Sequence, residues 1–292
     1  MKLLTYKENG IQKLGVASKD GEKVYDLARA DISYRDMNDL IEHLTNEQRH
    51  KIQTLVQKEE GGIAYNEIEK CAPIPKPNQD VICLGVNYGA HVREAEKFEK
   101  KEYGKRNDAI YFSKRVNEFV PDGGIIHLHA DIEHHMDYEA ELAVVIGKKV
   151  EGVNVDEALD YVFGYTILND VSARTLQRRH QQWYFGKSLD GLAPMGPWIV
   201  TADEIAGNPI LNIKTFVNGE LRQSACTDQL IFNIPEVISE LSRGMTLLPG
   251  SIISTGTPAG VGMSYDPPRY LKAGDRVDCE IEKIGTLHNI AQ

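Results

Sequence analysis

The hydrophobic pattern along the chain changes character more than once. Residues 1–26 alternate short apolar runs with tight turns: Leu3-Leu4-Thr5-Tyr6, Leu14-Gly15-Val16-Ala17, then Lys23-Val24-Tyr25. Glu8-Asn9-Gly10 and Asp20-Gly21 separate these runs. Asn-Gly and Asp-Gly supply the positive φ angles of hairpin turns, so strands joined by hairpins are expected. From Met37 to Val56 the spacing becomes helical, through Leu40, Ile41, Leu44, Ile52 and Val56. A polar, glycine-containing stretch follows at 58–62. Pro73-Ile74-Pro75-Lys76-Pro77 then predicts an extended, semi-rigid linker. The expected division is a small αβ domain over 1–72 and a main domain over 78–292.

The main domain is a series of short β-branched or apolar runs. Val81-Ile82-Cys83-Leu84, Ala109-Ile110-Tyr111-Phe112, Leu142-Ala143-Val144-Val145-Ile146, Trp198-Ile199-Val200 and Ile252-Ile253-Ser254 are examples. Helical spacing is confined to 91–100, 155–161, 172–184 and 235–243. Many strands with a few helices between them predict a β-rich α+β fold.

Charge narrows the partners. The 33 basic residues against 43 acidic ones give a net −10, which offers no electrostatic support for nucleic-acid binding or an anionic membrane surface. No apolar run approaches the roughly 20 residues of a membrane helix. The first residues, Met-Lys-Leu-Leu-Thr-Tyr-Lys-Glu, are charged too soon for a secretory signal, so a cytoplasmic location is expected. Cys71, Cys83, Cys226 and Cys279 are widely spaced with no C-x-x-C, which predicts free thiols of a reducing compartment.

Candidate chemistry concentrates in the main domain. Asp137-Tyr138-Glu139-Ala140-Glu141-Leu142-Ala143-Val144-Val145-Ile146 reads as one strand. Its period of two puts Glu139 and Glu141 on one face, which continues as Ala143 and Val145 and so points inward. Two close, partly buried carboxylates repel and lose hydration, and a divalent cation removes both penalties. Hard oxygen donors without cysteine select Mg²⁺, Mn²⁺ or Ca²⁺. A solvated edge strand is the alternative. Asp170 ends the run from Val162 to Asn169, and Ser172 is placed to cap a following helix. On that helix Arg174 and Gln177, three apart, share a face that could aim a cation and an amide at an anion or simply be a solvated polar face. His91 and Glu94 have the same spacing, which suits a carboxylate-oriented general base or an ordinary surface pair. Lys187, in an aromatic and Gly/Pro-rich neighbourhood, could hold a carboxylate or enolate, or be an ordinary exposed lysine. Ser254-Thr255-Gly256-Thr257-Pro258-Ala259-Gly260-Val261-Gly262 is a glycine-rich turn offering N–H groups and hydroxyls to an anion, or simply a sharp corner. His127, His129, His134 and His135 match no zinc motif and are expected on a solvated loop or a pocket rim.

In order along the chain, these segments resemble the fumarylacetoacetate hydrolase family. The matching stretches are Gly85-Val86-Asn87-Tyr88 with His91-Val92-Arg93-Glu94; Tyr111-Phe112-Ser113-Lys114; Asp137 to Ala143; Asn169-Asp170-Val171-Ser172-Ala173-Arg174; Gly186-Lys187-Ser188 with Pro194-Met195-Gly196-Pro197; Asn218-Gly219-Glu220; Thr255 to Gly262; and Ile284-Gly285-Thr286-Leu287. The resemblance implies a mixed β-roll or barrel of twisted strands and a homodimer. It implies Mg²⁺ or Mn²⁺ held by Glu139, Glu141 and Asp170, with Lys187 and Thr257 on the oxo-acid end of the substrate and Arg174 and Gln177 lining the pocket. His91 and Glu94 match a catalytic dyad on a lid segment, and the charged stretch 94–106 suits such a lid. The sequence departs from common family patterns at Val116-Asn117-Glu118-Phe119 and Asp190-Gly191-Leu192-Ala193. Both are expected to touch the distal part of the substrate.

The implied activity is divalent-metal-dependent hydrolysis of a C–C bond in a 2,4-dioxo acid such as an acylpyruvate. The cation would stabilise the enolate formed as C3–C4 breaks. Oxaloacetate decarboxylation or tautomerisation, and isomerisation of a 2-hydroxyhepta-2,4-diene-1,7-dioate, use the same enolate. A non-catalytic sensor that binds metal and oxo acid is the alternative of another class.

Overall fold

The computed structural model describes residues 1–99 and 108–292. The end of the stretch expected to form a lid, from residue 100 on, lies outside them.

Among the described residues the strands assemble into two large sheets and a two-stranded one that pairs Ser172–Ala173 with Met136–Asp137. The larger runs in the order Ile63–Ala64, Lys23–Asp26, Ile11–Ala17, Lys2–Glu8, Met195–Thr201, Val162–Asn169, Ala140–Ile146, Ile252–Ser254, Val81–Gly85 and Ile110–Lys114, with Glu69–Lys70 paired to Lys2–Glu8. Its ladders are antiparallel except the one joining Ile252–Ser254 to Val81–Gly85. The second sheet runs Glu220–Cys226, Asn212–Val217, Arg276–Ile281, Gly285–Ala291 and Ile125–Ile126 and packs against the middle of the first. The β-rich α+β class holds, but among the described residues no barrel closes.

Ala140–Ile146 is buried at every position, because core lies on both of its faces. Leu142, Val144 and Ile146 join one hydrophobic cluster while Ala143 and Val145 join another. This is a central strand, so the solvated-edge alternative does not apply. It is also shorter than the motif suggested: Met136–Asp137 forms a separate strand, and Glu139 stands just before Ala140–Ile146 begins.

The Asn9-Gly10 turn has the expected left-handed residues, with φ of 52° and 75°, whereas at Asp20-Gly21 only Gly21 is left-handed, with φ 86°. Helical spacing from Met37 resolves into Met37–His43 and Asn46–Lys58, broken where Thr45 caps the second helix through a capping box with Gln48. The proline-rich stretch is packed rather than free. Ile74 is fully buried, and the carbonyls of Pro73, Pro75 and Lys76 accept from Thr5 Oγ1, the Phe119 amide and Asn38 Nδ2. The N-terminal strands continue the main sheet through the pairing of Lys2 with Val200.

Candidate active site

The site is built by strand register. Ala140 pairs with Asn169 and Glu141 with Leu168, so Glu139 and Asp170 come opposite each other just past the end of the ladder. Two bonds staple them there: Asp170 N–H to the Glu139 carbonyl at 2.8 Å, and Glu139 N–H to Asn169 Oδ1 at 2.9 Å. Carboxylate oxygens of Glu139, Glu141 and Asp170 thereby lie within 4.8 Å of one another, all three buried. Among the described residues no other His, Cys, Asp and Glu group of this kind occurs. The four histidines at 127–135 form no such site, and the four cysteines are free.

Three buried cations meet these acids. Lys187 Nζ lies 2.8 Å from Glu139 and 2.6 Å from Asp170. Lys114 Nζ lies 2.8 Å from the other oxygen of Asp170 and donates to the Val171 carbonyl. Arg174 reaches Glu139 at 2.6 Å and Asp137 at 2.9 Å. Counting Asp137, four carboxylates face three cations. Burial opposes the charged form of Glu139, but Lys187, Arg174 and His91 outweigh it and hold its carboxyl down to about 2. Glu141 takes the remaining strain: burial, then Asp170 and Glu139, push it up to about 8. Burial likewise opposes charge on Lys187 and Arg174, yet their acidic partners raise both above their ordinary values.

The donor set fits a hard divalent cation. It offers oxygens alone, clustered and with one carboxyl made unfavourable as an anion, a penalty that a bound cation reverses.

The glycine-rich turn does present N–H groups to anions, but the anions are the protein's own. Gly256 N–H donates to Glu141, Gly260 N–H to Glu94, and Gly262 N–H to Asp137 at 2.6 Å. Gly260 sits at φ 102°, where a Cβ would meet the Arg222 carbonyl oxygen at 2.0 Å. Thr257 donates its hydroxyl to the Ala140 carbonyl and accepts from Gln223.

His91 and Glu94 lie on the helix Gly89–Glu99, with His91 Nδ1 3.2 Å from Glu94 Oε2. His91 is buried and lines one pocket with Glu139, Glu141, Arg174, Gln177, Lys187 and Thr257. A cavity of about 20 Å³, measured for the centre of a water-sized sphere, remains among them. That is room for one or two waters. All the sequence-predicted residues therefore converge, Glu94 through His91 and Asp170 beneath Lys187.

Other expectations need correction. Ser172 does not cap the following helix: Ser172–Ala173 is a strand paired with Met136–Asp137, and the helix is only Arg174–Arg179. The residue missed is Glu133, whose carboxylate accepts the N–H groups of Thr175 and Leu176 at 3.0 and 3.1 Å, and of His134 and His135. It fixes the helix that carries Arg174 and Gln177. Asp137 and Lys114 were also missed as charge partners; a lysine closing an apolar strand was the available signal. The two departing loops do not line the pocket. Asn117 Nδ2 instead donates to Asp190 Oδ1, which joins them to each other.

The fold recurs among known proteins. The family model for the fumarylacetoacetate (FAA) hydrolase C-terminal region matches residues 80–291. The oxaloacetate tautomerase YisK of Bacillus subtilis is 46% identical over 226 residues, 77% of this chain and 74% of that protein. A fumarylacetoacetate hydrolase structure from the psychrophilic Exiguobacterium antarcticum superposes with TM-score 0.85 at 35% identity, covering 100% of this chain and 99% of its own. A maleylpyruvate hydrolase from Sphingobium sp. SYK-6, in complex with manganese(II) and pyruvate, superposes with TM-score 0.78 at 29% identity, covering 100% and 98%.

Proposed function

Since the chain belongs to the fumarylacetoacetate hydrolase family, we propose that it enolises a short 2-oxo acid, interconverting keto and enol oxaloacetate with Mg²⁺ or Mn²⁺. The observation that carries this reading is that buried His91, paired with Glu94, lines the same pocket as Glu139 and Glu141 of the Glu139–Glu141–Asp170 cluster. The 46% identity to an oxaloacetate tautomerase supports the choice of substrate.

Glu139, Glu141 and Asp170 would hold the cation, which supplies Lewis acidity toward the oxygens of a 2-oxo acid. The protein's own groups do the proton work. His91 has Nδ1 on Glu94, so Nε2 is the nitrogen that takes the C3 proton. Glu94, anchored by the Gly260 N–H, orients the ring and favours the imidazolium that results. The C3–H electrons move into a C2–C3 double bond, and negative charge develops on the C2 oxygen. Lys187 and Arg174, both held charged by acidic partners, stabilise that charge. The imidazolium proton then passes to the C2 oxygen, so one proton has moved from carbon to oxygen and no carbon–carbon bond has broken.

A second reading is hydrolysis of a 2,4-dioxo acid. The apolar pocket residues Leu84, Val86, Ala95, Phe112, Trp183 and Met263 favour it, because they suit an acyl methyl group. There the dyad would activate water toward the C4 carbonyl. Homodimeric assembly and a cytoplasmic location belong to the same proposal and rest on family membership.

The test follows the ultraviolet absorbance of enol oxaloacetate on mixing with protein and Mg²⁺. Accelerated decay is expected, lost on chelation and reduced about 10²–10⁴-fold in His91→Ala. Cleavage of acetylpyruvate without any acceleration of enol decay would overturn the first reading in favour of the second.

A further inference from the structure

The pocket is two-sided: one side is ionic and the other is carbon. Trp183 belongs to the carbon side but shares a helical turn with Lys187, since its carbonyl accepts the Lys187 N–H at 3.1 Å. Four-residue spacing sets two side chains on the same side of such a turn, so the indole and the ammonium enter the pocket together. The indole is seated from two directions. Phe112 meets it edge to face, with ring centroids 5.3 Å apart at 75°. Gly85 lies against its benzo edge, where a Cβ would stand 2.5 Å from Cζ3 and 2.9 Å from Cη2. Gly85 lies outside the left-handed region, so glycine is there to make room for the ring.

We propose that Trp183, seated on Gly85, is the specificity-determining residue that limits the substrate beyond C4. It admits oxaloacetate or acetylpyruvate and rejects acids with longer tails. The inference rests on the reading above, in which the oxo-acid head binds the ionic side; the tail is then directed at the carbon side. The ring presents carbon apart from its single Nε1–H donor, and with Phe112 and Ala95 it walls the carbon side of the pocket. A methylene that does not fit costs about 10- to 200-fold in discrimination.

Binding is the readout, so the result does not depend on which reaction occurs. Straight-chain 2-oxo acids from pyruvate upward are titrated by calorimetry into Mn²⁺-loaded wild type, Trp183→Ala and Trp183→Leu, with melting curves to confirm folding. Wild-type affinity should fall about 10-fold or more at the first tail that is too long. Trp183→Ala should move that step to longer acids, and Trp183→Leu should move it less. Gly85→Ala, which unseats the ring with Trp183 still present, should also move the step and serves as an independent variant. Identical length profiles in all four proteins would overturn the proposal, and so would a wild type with no length step. A moved step without oxaloacetate turnover would support Trp183 as the limit while sinking the tautomerase reading. Failure of the wild type to bind any of these acids would sink both.

Discussion

The ionic and carbon sides of the pocket are held by different physics. On the ionic side, short charge-assisted contacts of 2.6 to 2.8 Å bind Lys187 and Lys114 to their carboxylates, and backbone register puts those acids in place. Buried charges of this kind are weak sources of stability, and removing one partner strands another. On the carbon side, Trp183 meets Phe112 edge to face and packs closely on Gly85, and the Phe112 ring stands 5.1 Å from Lys187 Nζ. A change there alters what fits without leaving a charge unpaired. On the proposed reading, the chemistry is tied to the fold's central ladder, whereas the choice of substrate rests on a few contacts at its margin.

This difference can be broken or sharpened by mutation. The largest effect is expected from Glu141→Gln. Losing Mn²⁺ binding in titration should take the several kcal/mol of metal assistance with it, a fall of about 10³-fold or more in turnover. His91→Ala should separate the dyad from the cluster, with turnover down about 10²-fold or more while calorimetry shows Mn²⁺ affinity retained. Lys114→Met should act on stability first. It leaves Asp170 short of a buried partner, and denaturant unfolding should show a loss of about 3–5 kcal/mol. Glu133→Gln should cost least, about 0.5–2 kcal/mol, as a weakened helix cap. Burial opposes charge on Glu133, but its bonds from Thr175, His135, Leu176 and His134 prevail and hold the carboxyl below its ordinary value. A depressed folded-state value gives stability above the unfolded value of about 4.3, lost as pH falls through the folded one. The gap between wild type and Glu133→Gln should therefore be widest near neutral pH and close in acid. A constant gap across pH would contradict that role.

The ionic side was the more legible in the sequence, for a physical reason. Glu139, Glu141 and Asp170 lie near strand ends in runs whose period and composition announce the strands, and pairing those strands suffices to bring the acids together. The Asn9-Gly10 hairpin was legible because its backbone demand is local. Lys114, Glu133 and Asp137 were not, because each acts on a partner in a different segment. Glu133 sits in a histidine-rich loop that offers no periodicity, and Ser172 looked a better cap because it is adjacent to the helix. The break before Ala140 was hidden by an unbroken alternating pattern. The seat of Trp183 depends on where Gly85 and Phe112 meet it, which local spacing does not encode. The loops at 116–119 and 190–193 drew interest as departures from family patterns, yet neither lines the pocket and Asn117 of one is bonded to Asp190 of the other.

The central claim is that this cation-dependent pocket moves a proton on a 2-oxo acid rather than cutting its carbon chain. A proton-NMR time course in D₂O tests it directly, with oxaloacetate and acetylpyruvate in one sample, Mg²⁺ present, and a chelated control. The account predicts enzyme-dependent deuterium exchange at C3 of oxaloacetate, abolished by chelation, with no acetate formed from acetylpyruvate. Acetate and pyruvate appearing together, without enhanced exchange in oxaloacetate, would contradict it.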